Sequence, residues 1–116
     1  MRLDLELFRA ILLVIEESPN PTVKSNYSIR FEGISQITSD YHIHLLIQEG
    51  FLSAIDARCK DREYDYLEIG LTFKGQQFID AIADHGCLDK IKDYIKANAL
   101  PLTLDVLFKV AMTQFS

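Results

Sequence analysis

The spacing of apolar residues changes along the chain from helical to extended and back again. Near the start, apolar side chains recur every three or four positions, which predicts an amphipathic helix. They are Phe8, Ile11, Leu12 and Ile15. The prolines of "SPNP" end this helix, because each proline disfavours helical geometry in the residue before it. Apolar residues then alternate from Tyr27 to Phe31, after Val23, and this alternation predicts a short strand.

The next stretch, "ISQITSDYHIHLLIQEG", predicts two closely spaced helices. Ser35 is placed to cap a short helical turn, and Ser39 or Asp40 is placed to cap a longer helix that runs to Glu49. Gly50 follows at the position where a left-handed residue commonly ends a helix.

A β-hairpin and three further helices are predicted from residue 51 onward. Two apolar strands, 51–57 and 64–71, flank the polar tip "RCKDRE". Thr72 caps the first helix, which His85-Gly86 ends, and Thr103 begins the last. The helix between them is marked by Leu88, Ile91 and Ile95. Two close helices followed by a hairpin are typical of a winged helix. We therefore expect one α+β winged-helix domain over residues 1–116, with a helical C-terminal extension.

The composition limits the cellular compartment and the kinds of binding partner that we expect. The chain has 116 residues, a net charge of -5 and a pI near 5.1, whereas small proteins bound to duplex DNA more often carry excess positive charge. Two cysteines, Cys59 and Cys87, suit a reducing compartment. No apolar run approaches the roughly 18 residues that span a bilayer, and no cleavage site follows the first helix. We expect a cytoplasmic protein with no membrane association.

Six polar side chains are candidates for contact with DNA. Tyr41, His44 and Gln48 fall on the outer side of the predicted longer helix, where they can reach base edges or phosphates. Arg58, Lys60 and Arg62 lie at the hairpin tip, where they can contact the DNA backbone.

The charge around these residues favours a different partner. No lysine or arginine occurs from Glu32 through Ala57, whereas four carboxylates do. Acidic residues also alternate with the three cations of the tip, so its net charge is close to zero. Such a helix face suits water or a protein as well as it suits DNA. Both alternatives therefore remain.

No pattern points to catalysis or to a metal ion. The chain lacks a phosphate-binding glycine loop, a nucleophile elbow and a paired-carboxylate motif. His42 and His44 are two positions apart, which places them on different sides of a helix, and the cysteines have no C-x-x-C spacing. We expect a protein that is not an enzyme and that needs no cofactor.

The last helix carries more apolar residues than one stripe requires. Leu104, Leu107, Phe108 and Ala111 suffice to dock it onto the domain. Val110, Met112 and Phe115 lie partly off that stripe, so the C-terminal helices either form the seam of a homodimer or protein contact, or fold back onto the domain.

Two resemblances support the expected fold. The line "YHIHLLIQEGFL" resembles the recognition helix of arsenical-repressor-type regulators at His42, Ile43, Leu46, Gly50, Phe51 and Leu52. Nearly the whole chain resembles short, uncharacterised bacterial and prophage winged-helix proteins of the domain-of-unknown-function class. The likeness rests on "RLDLELFRAILLVIEE", "YH-x-x-LL-x-x-x-G", "LTFKGQQFIDAI", "LDKIKDYIK" and "LP-x-x-VL", with departures at Gln76 and Cys87-Leu88. It implies a fold and a mobile-element setting, and it carries no established activity.

Two functions follow as expectations. The first is a DNA-binding protein, similar to transcription regulators, that places the helix from Asp40 to Glu49 in a major groove and the tip cations on phosphates. The second is a winged-helix module that binds a protein and not DNA. Fold analogy favours the first, and local charge favours the second.

Overall fold

The computed structural model describes residues 3–18 and 25–114. Within them the chain forms five α-helices, one 3₁₀ helix and one two-stranded antiparallel sheet. In chain order the elements are α1 (Leu5–Glu17), the 3₁₀ helix (Asn26–Ser28), α2 (Gln36–Gln48), β1 (Leu52–Asp56), β2 (Tyr66–Leu71), α3 (Phe73–Ile82), α4 (His85–Ala97) and α5 (Leu104–Gln114). None of these helices is both long and apolar enough to cross a bilayer.

The apolar stripes predicted from spacing form the core. The whole α1 stripe, from Phe8 to Ile15, is buried. Helix α2 lies centrally, in contact with α1, β1 and the 3₁₀ helix, and its Ile43 and Leu46 are fully buried. The rings of Phe51, Phe78 and Phe108 pack against one another and join the hairpin to α3 and α5.

The strand predicted from Tyr27 to Phe31 is wrong. Ser25 caps a single 3₁₀ turn in its place, and among residues 25–31 one bridge to β2 occurs, between Ser25 and Leu67. The fully buried Asn26 supplies the missing pairing with its side chain, which donates to the Tyr64 carbonyl at 3.0 Å and accepts from the Tyr66 N–H at 2.8 Å. A side-chain amide thus satisfies backbone groups that a neighbouring strand would otherwise satisfy. Val23 lies outside the described residues.

The prediction of two helices before the hairpin is also wrong. One continuous helix, α2, begins after its cap Ser35, whose hydroxyl accepts from the Thr38 N–H. Ser39 and Asp40 lie inside this helix and are buried. The Asp40 carboxylate accepts a 2.6 Å hydrogen bond from the side chain of Gln36, one turn earlier in the same helix. Asp40 therefore bonds to a side chain within α2 and does not cap a new helix.

The hairpin is confirmed, and Gly50 (φ +85°) provides the left-handed exit from α2. Its register contains an irregularity that simple alternation does not predict. Ser53 pairs with Gly70 but Ile55 pairs with Leu67, so β2 holds one extra residue, and Glu68 adopts φ +53°. This bulge lets Tyr66 and Ile69, three positions apart, both face the core.

The C-terminal helices match their predicted positions apart from one boundary. Thr72 caps α3 by accepting from the Gly75 N–H, and Thr103 accepts from the Val106 N–H at the start of α5. The interpretation of His85-Gly86 as a helix end is wrong. Asp84 caps α4 there, so His85 and Gly86 form its first turn.

The surplus apolar residues of α5 are partly accounted for within the chain. Val110 is buried in the core, so of the two alternatives left open for it the structure shows that it folds back onto the domain. Met112 is half-buried and packs against the same core. Phe115 lies outside the described residues.

Candidate interaction surface

Helix α2 and the hairpin meet at a small surface of aromatic and polar side chains, which we call the notch. The ring Nδ1 of His44, on α2, lies 2.5 Å from the Tyr66 hydroxyl on β2. The ring of Tyr64 stands 5.1 Å from the His44 ring, centroid to centroid. The notch comprises Tyr41, His44, Gln48, Arg58 and Tyr64, and the buried side chain of Tyr66 lies beneath it.

The α2 residues of the notch face the hairpin more than the sequence suggests. Tyr41, His44 and Gln48 were expected on an outer face, but Tyr41 and His44 are half-buried and only Gln48 is exposed. Gln48 lies beside the Tyr66 hydroxyl, and Tyr41 lies near Tyr64. The hairpin therefore covers part of the face that would have to enter a DNA groove.

Burial sets the protonation states inside the notch. Desolvation, and after it the Arg58 guanidinium, lower the pKa of His44 below its ordinary value of 6.5. Desolvation raises the pKa of Tyr66. At neutral pH the Tyr66 hydroxyl therefore keeps its proton and the His44 imidazole is neutral, and one hydrogen bond joins the hydroxyl to Nδ1. This arrangement fixes the orientation of both side chains.

The arginines of the hairpin tip are paired with carboxylates. Arg58 binds both carboxylate oxygens of Asp56, at 3.0–3.1 Å from Nε and 2.7 Å from the second nitrogen, and its guanidinium lies 5.5 Å from the centre of the Tyr66 ring. This pairing lowers the pKa of Asp56. Arg62 contacts Asp65 at 3.2 Å. Two of the three predicted cations, Arg58 and Arg62, therefore hold a carboxylate within the chain.

Lys60 differs from the two arginines. It forms no ion pair among the residues that the structure describes. Around it, residues 56–65 contain three cations and four carboxylates, which gives a net charge of -1. The hairpin tip as a whole thus has no positive potential that would attract a phosphate backbone.

The structure brings four of the six predicted residues together and leaves two apart. Tyr41, His44, Gln48 and Arg58 share the notch, whereas Lys60 and Arg62 line a concave surface at the hairpin tip that Arg58 also lines. Tyr64 and Tyr66 were missed as site residues. Their spacing of two within a predicted strand was the available signal, because it places both rings on one face.

His42, at the position shared with the arsenical-repressor line, is a structural residue. It is fully buried, and its Nε2 accepts from the Asp4 N–H at 3.0 Å while its Nδ1 lies 2.8 Å from the Thr38 carbonyl. Both nitrogens are occupied, so His42 does not join His44 in a metal site. No group of three or more metal-ligating side chains occurs among residues 3–18 and 25–114.

The fold and the notch define a five-helix α+β protein with one hairpin and an aromatic, nearly uncharged surface beside it. The chain belongs to the family described as "Hypothetical protein (DUF2513)", whose model matches residues 2–101. It is also 32% identical over 116 residues to an "Uncharacterized protein" of Haemophilus influenzae, covering 100% of this chain and 97% of that one. No solved structure matches. The predicted membership of an uncharacterised family is confirmed.

Proposed function

We propose that the protein is a binding module that recognises another protein through the notch. The observation that carries this proposal is the ion pair between Arg58, the cation of the notch, and the neighbouring carboxylate of Asp56. Arg58 and Asp56 neutralise each other beside a surface of tyrosine, histidine and glutamine side chains. A surface of this kind offers hydrogen bonds and apolar area with little net charge.

Residue type supports a protein partner. Tyrosine and arginine are enriched among the residues that contribute most to protein–protein affinity, because each combines a large contact area with hydrogen-bonding groups. Tyr41 and Tyr64 are half-buried, and His44 holds the Tyr66 ring in place. Their side chains lose little conformational freedom on binding, which favours affinity.

The test compares proteins captured by three forms of the chain. The double substitution Tyr41→Ala/Gln48→Ala alters the notch. Lys109→Ala, at an exposed position of α5, is the matched control. Candidates from cell extract are purified and their dissociation constants measured. We expect a partner that binds the unsubstituted chain and the Lys109→Ala control equally and the notch variant at least about tenfold more weakly, which corresponds to about 1.4 kcal/mol. Captured proteins whose affinity does not depend on the notch contradict the proposal.

Duplex DNA is the second candidate, and the element order supports it. Helix α2 followed by the hairpin and α3 corresponds to the recognition helix and wing of a winged helix, and we propose that assignment for this part of the fold. Lys60 at the exposed tip is then the first phosphate contact. Arg58 and Arg62 join it only by exchanging their carboxylate partners for phosphates.

Three further expectations stay proposals. We propose a cytoplasmic location, a mobile-element origin and a role in binding and not in catalysis. A homodimer through the C-terminal helices is also a proposal, and Val110 contributes nothing to its seam, because it packs inside the chain.

A further inference from the structure

A second concave surface lies away from the notch, between the start of α1 and the end of α4. The groove has a volume of about 570 Å³. Its lining is mainly aliphatic, with Leu3 and Leu5 on one side and Ile95 and Leu102 on the other. Leu102 is 44% exposed and Leu3 is half-buried, whereas Leu5 and Ile95 are buried, so part of the apolar lining is open to solvent. This volume falls within the range of small-molecule sites.

The polar groups of the groove lie at the start of α1 and near the end of α4. Asp4 lines it on one side, and Lys92 and Lys96, one turn apart on α4, line it on the other. Asp4 accepts a hydrogen bond from the Leu7 N–H and so serves the helix start. Lys92 pairs with Glu6 at 3.0 Å, whereas Lys96 has no ion-pair partner among residues 3–18 and 25–114.

We propose that this groove binds a carboxylate with an unbranched aliphatic chain, such as a fatty acid anion. The four aliphatic side chains accommodate the hydrocarbon, whose transfer from water stabilises the complex by about 0.8 kcal/mol per buried methylene. The Lys96 ammonium donates a hydrogen bond to the carboxylate and neutralises its charge, and Thr38, on α2, lines the same site. The proposal goes beyond the notch, because it concerns a different ligand and a different surface.

Calorimetric titration with dodecanoate, below the concentration at which it forms micelles, tests this inference. Dodecanol serves as the uncharged ligand of equal chain length, and acetate serves as the charged ligand without a chain. Lys96→Gln removes the unpaired ammonium, and Leu102→Ser removes exposed apolar lining. Lys90→Gln, on the same helix but outside the groove, is the matched control.

The proposal predicts that dodecanoate binds and acetate does not. Lys96→Gln weakens dodecanoate about tenfold, the effect of losing one hydrogen bond to a charged group, and leaves dodecanol binding unchanged. Leu102→Ser weakens both long-chain ligands, and Lys90→Gln affects neither. No dodecanoate binding at about 1 mM, the weakest affinity of interest, overturns the proposal. Equal effects of Lys96→Gln and Lys90→Gln also overturn it, and this comparison holds even if Leu102→Ser fails to fold.

Discussion

His42 accepts a hydrogen bond from the backbone N–H of Asp4 at 3.0 Å, and this bond ties the middle of α2 to the start of α1. An imidazole nitrogen that accepts a hydrogen bond carries no proton, so the other nitrogen, Nδ1, donates to the Thr38 carbonyl at 2.8 Å. The same ring packs 4.8 Å from the ring of Phe8, centroid to centroid. A single side chain thus joins two helices through both polar and apolar contact.

Replacing His42 with alanine will destabilise the fold strongly. The substitution leaves the Asp4 N–H without its partner and opens a cavity beside Phe8, which together correspond to about 3 kcal/mol. Urea unfolding followed by circular dichroism measures the change. His85→Ala is the control, since the side chain of His85 is 63% exposed, and we expect little effect from it. Equal losses in the two variants would show that the His42 contacts contribute nothing specific.

Two glycines are required for different reasons, and alanine substitutions will separate them. A Cβ atom at Gly75 would lie 2.0 Å from the carbonyl oxygen of Phe51, so Gly75→Ala forces α3 away from the hairpin and costs about 3 kcal/mol or more. A Cβ at Gly50 meets nothing within 4 Å, and Gly50→Ala incurs only backbone strain, about 1–2 kcal/mol. Thermal unfolding of both variants should rank Gly75→Ala as the less stable.

His44 will make stability depend on pH in mildly acidic solution. Its pKa is lowered in the folded chain, by burial first and by Arg58 second, so the unfolded chain binds its proton at a higher pH. The unfolded state therefore holds more protons in that window, and the free energy of unfolding falls as pH drops below 6.5. In the protonated imidazole both ring nitrogens are donors, so Nδ1 can then only donate to the Tyr66 hydroxyl.

His44→Asn removes this group, and the difference between the two proteins isolates its contribution. We expect the unsubstituted chain to lose stability more steeply than His44→Asn between about pH 7 and pH 5. Urea midpoints at several pH values provide the measurement. Parallel curves for the two proteins would mean that His44 titrates alike in the folded and unfolded states.

Nonspecific binding to duplex DNA will be absent or very weak. Arg58 and Arg62 hold carboxylates, and residues 56–65 have a net charge of -1, so few counterions are released on contact with phosphates. Fluorescence anisotropy with random duplex at about 50 mM salt and tens of micromolar protein measures this. Clear binding would instead favour the DNA-binding candidate.

The salt dependence would then identify the contacts. Three phosphate contacts, through Arg58, Lys60 and Arg62, give a slope of log affinity against log salt near -3, from roughly -0.9 per contact. Arg58→Gln/Arg62→Gln should flatten this slope by about two units, whereas Lys109→Gln, on α5, should leave it unchanged. If the Arg58→Gln/Arg62→Gln variant shows the same slope as the unsubstituted chain, the DNA binds elsewhere on the protein.

The sequence alone determined the elements whose signals are local. The α1 stripe from Phe8 to Ile15, the caps Thr72 and Thr103, and the glycine exit at Gly50 all act within a few residues of their own position. Spacing and cap chemistry are therefore sufficient to predict them. The hairpin belongs with these elements, since two apolar strands around a polar tip leave few other arrangements.

Only the tertiary structure decided which residues far apart in the sequence contact one another. Asn26 pairs with Tyr66 across 40 positions and substitutes its side chain for a predicted strand. His44 meets Tyr66 across 22 positions and turns a predicted groove-reading face toward the hairpin. Neither contact leaves a periodic trace in the sequence, because each depends on one pair of side chains that packing brings together. The character of the candidate site was therefore set by packing and not by the spacing of its residues.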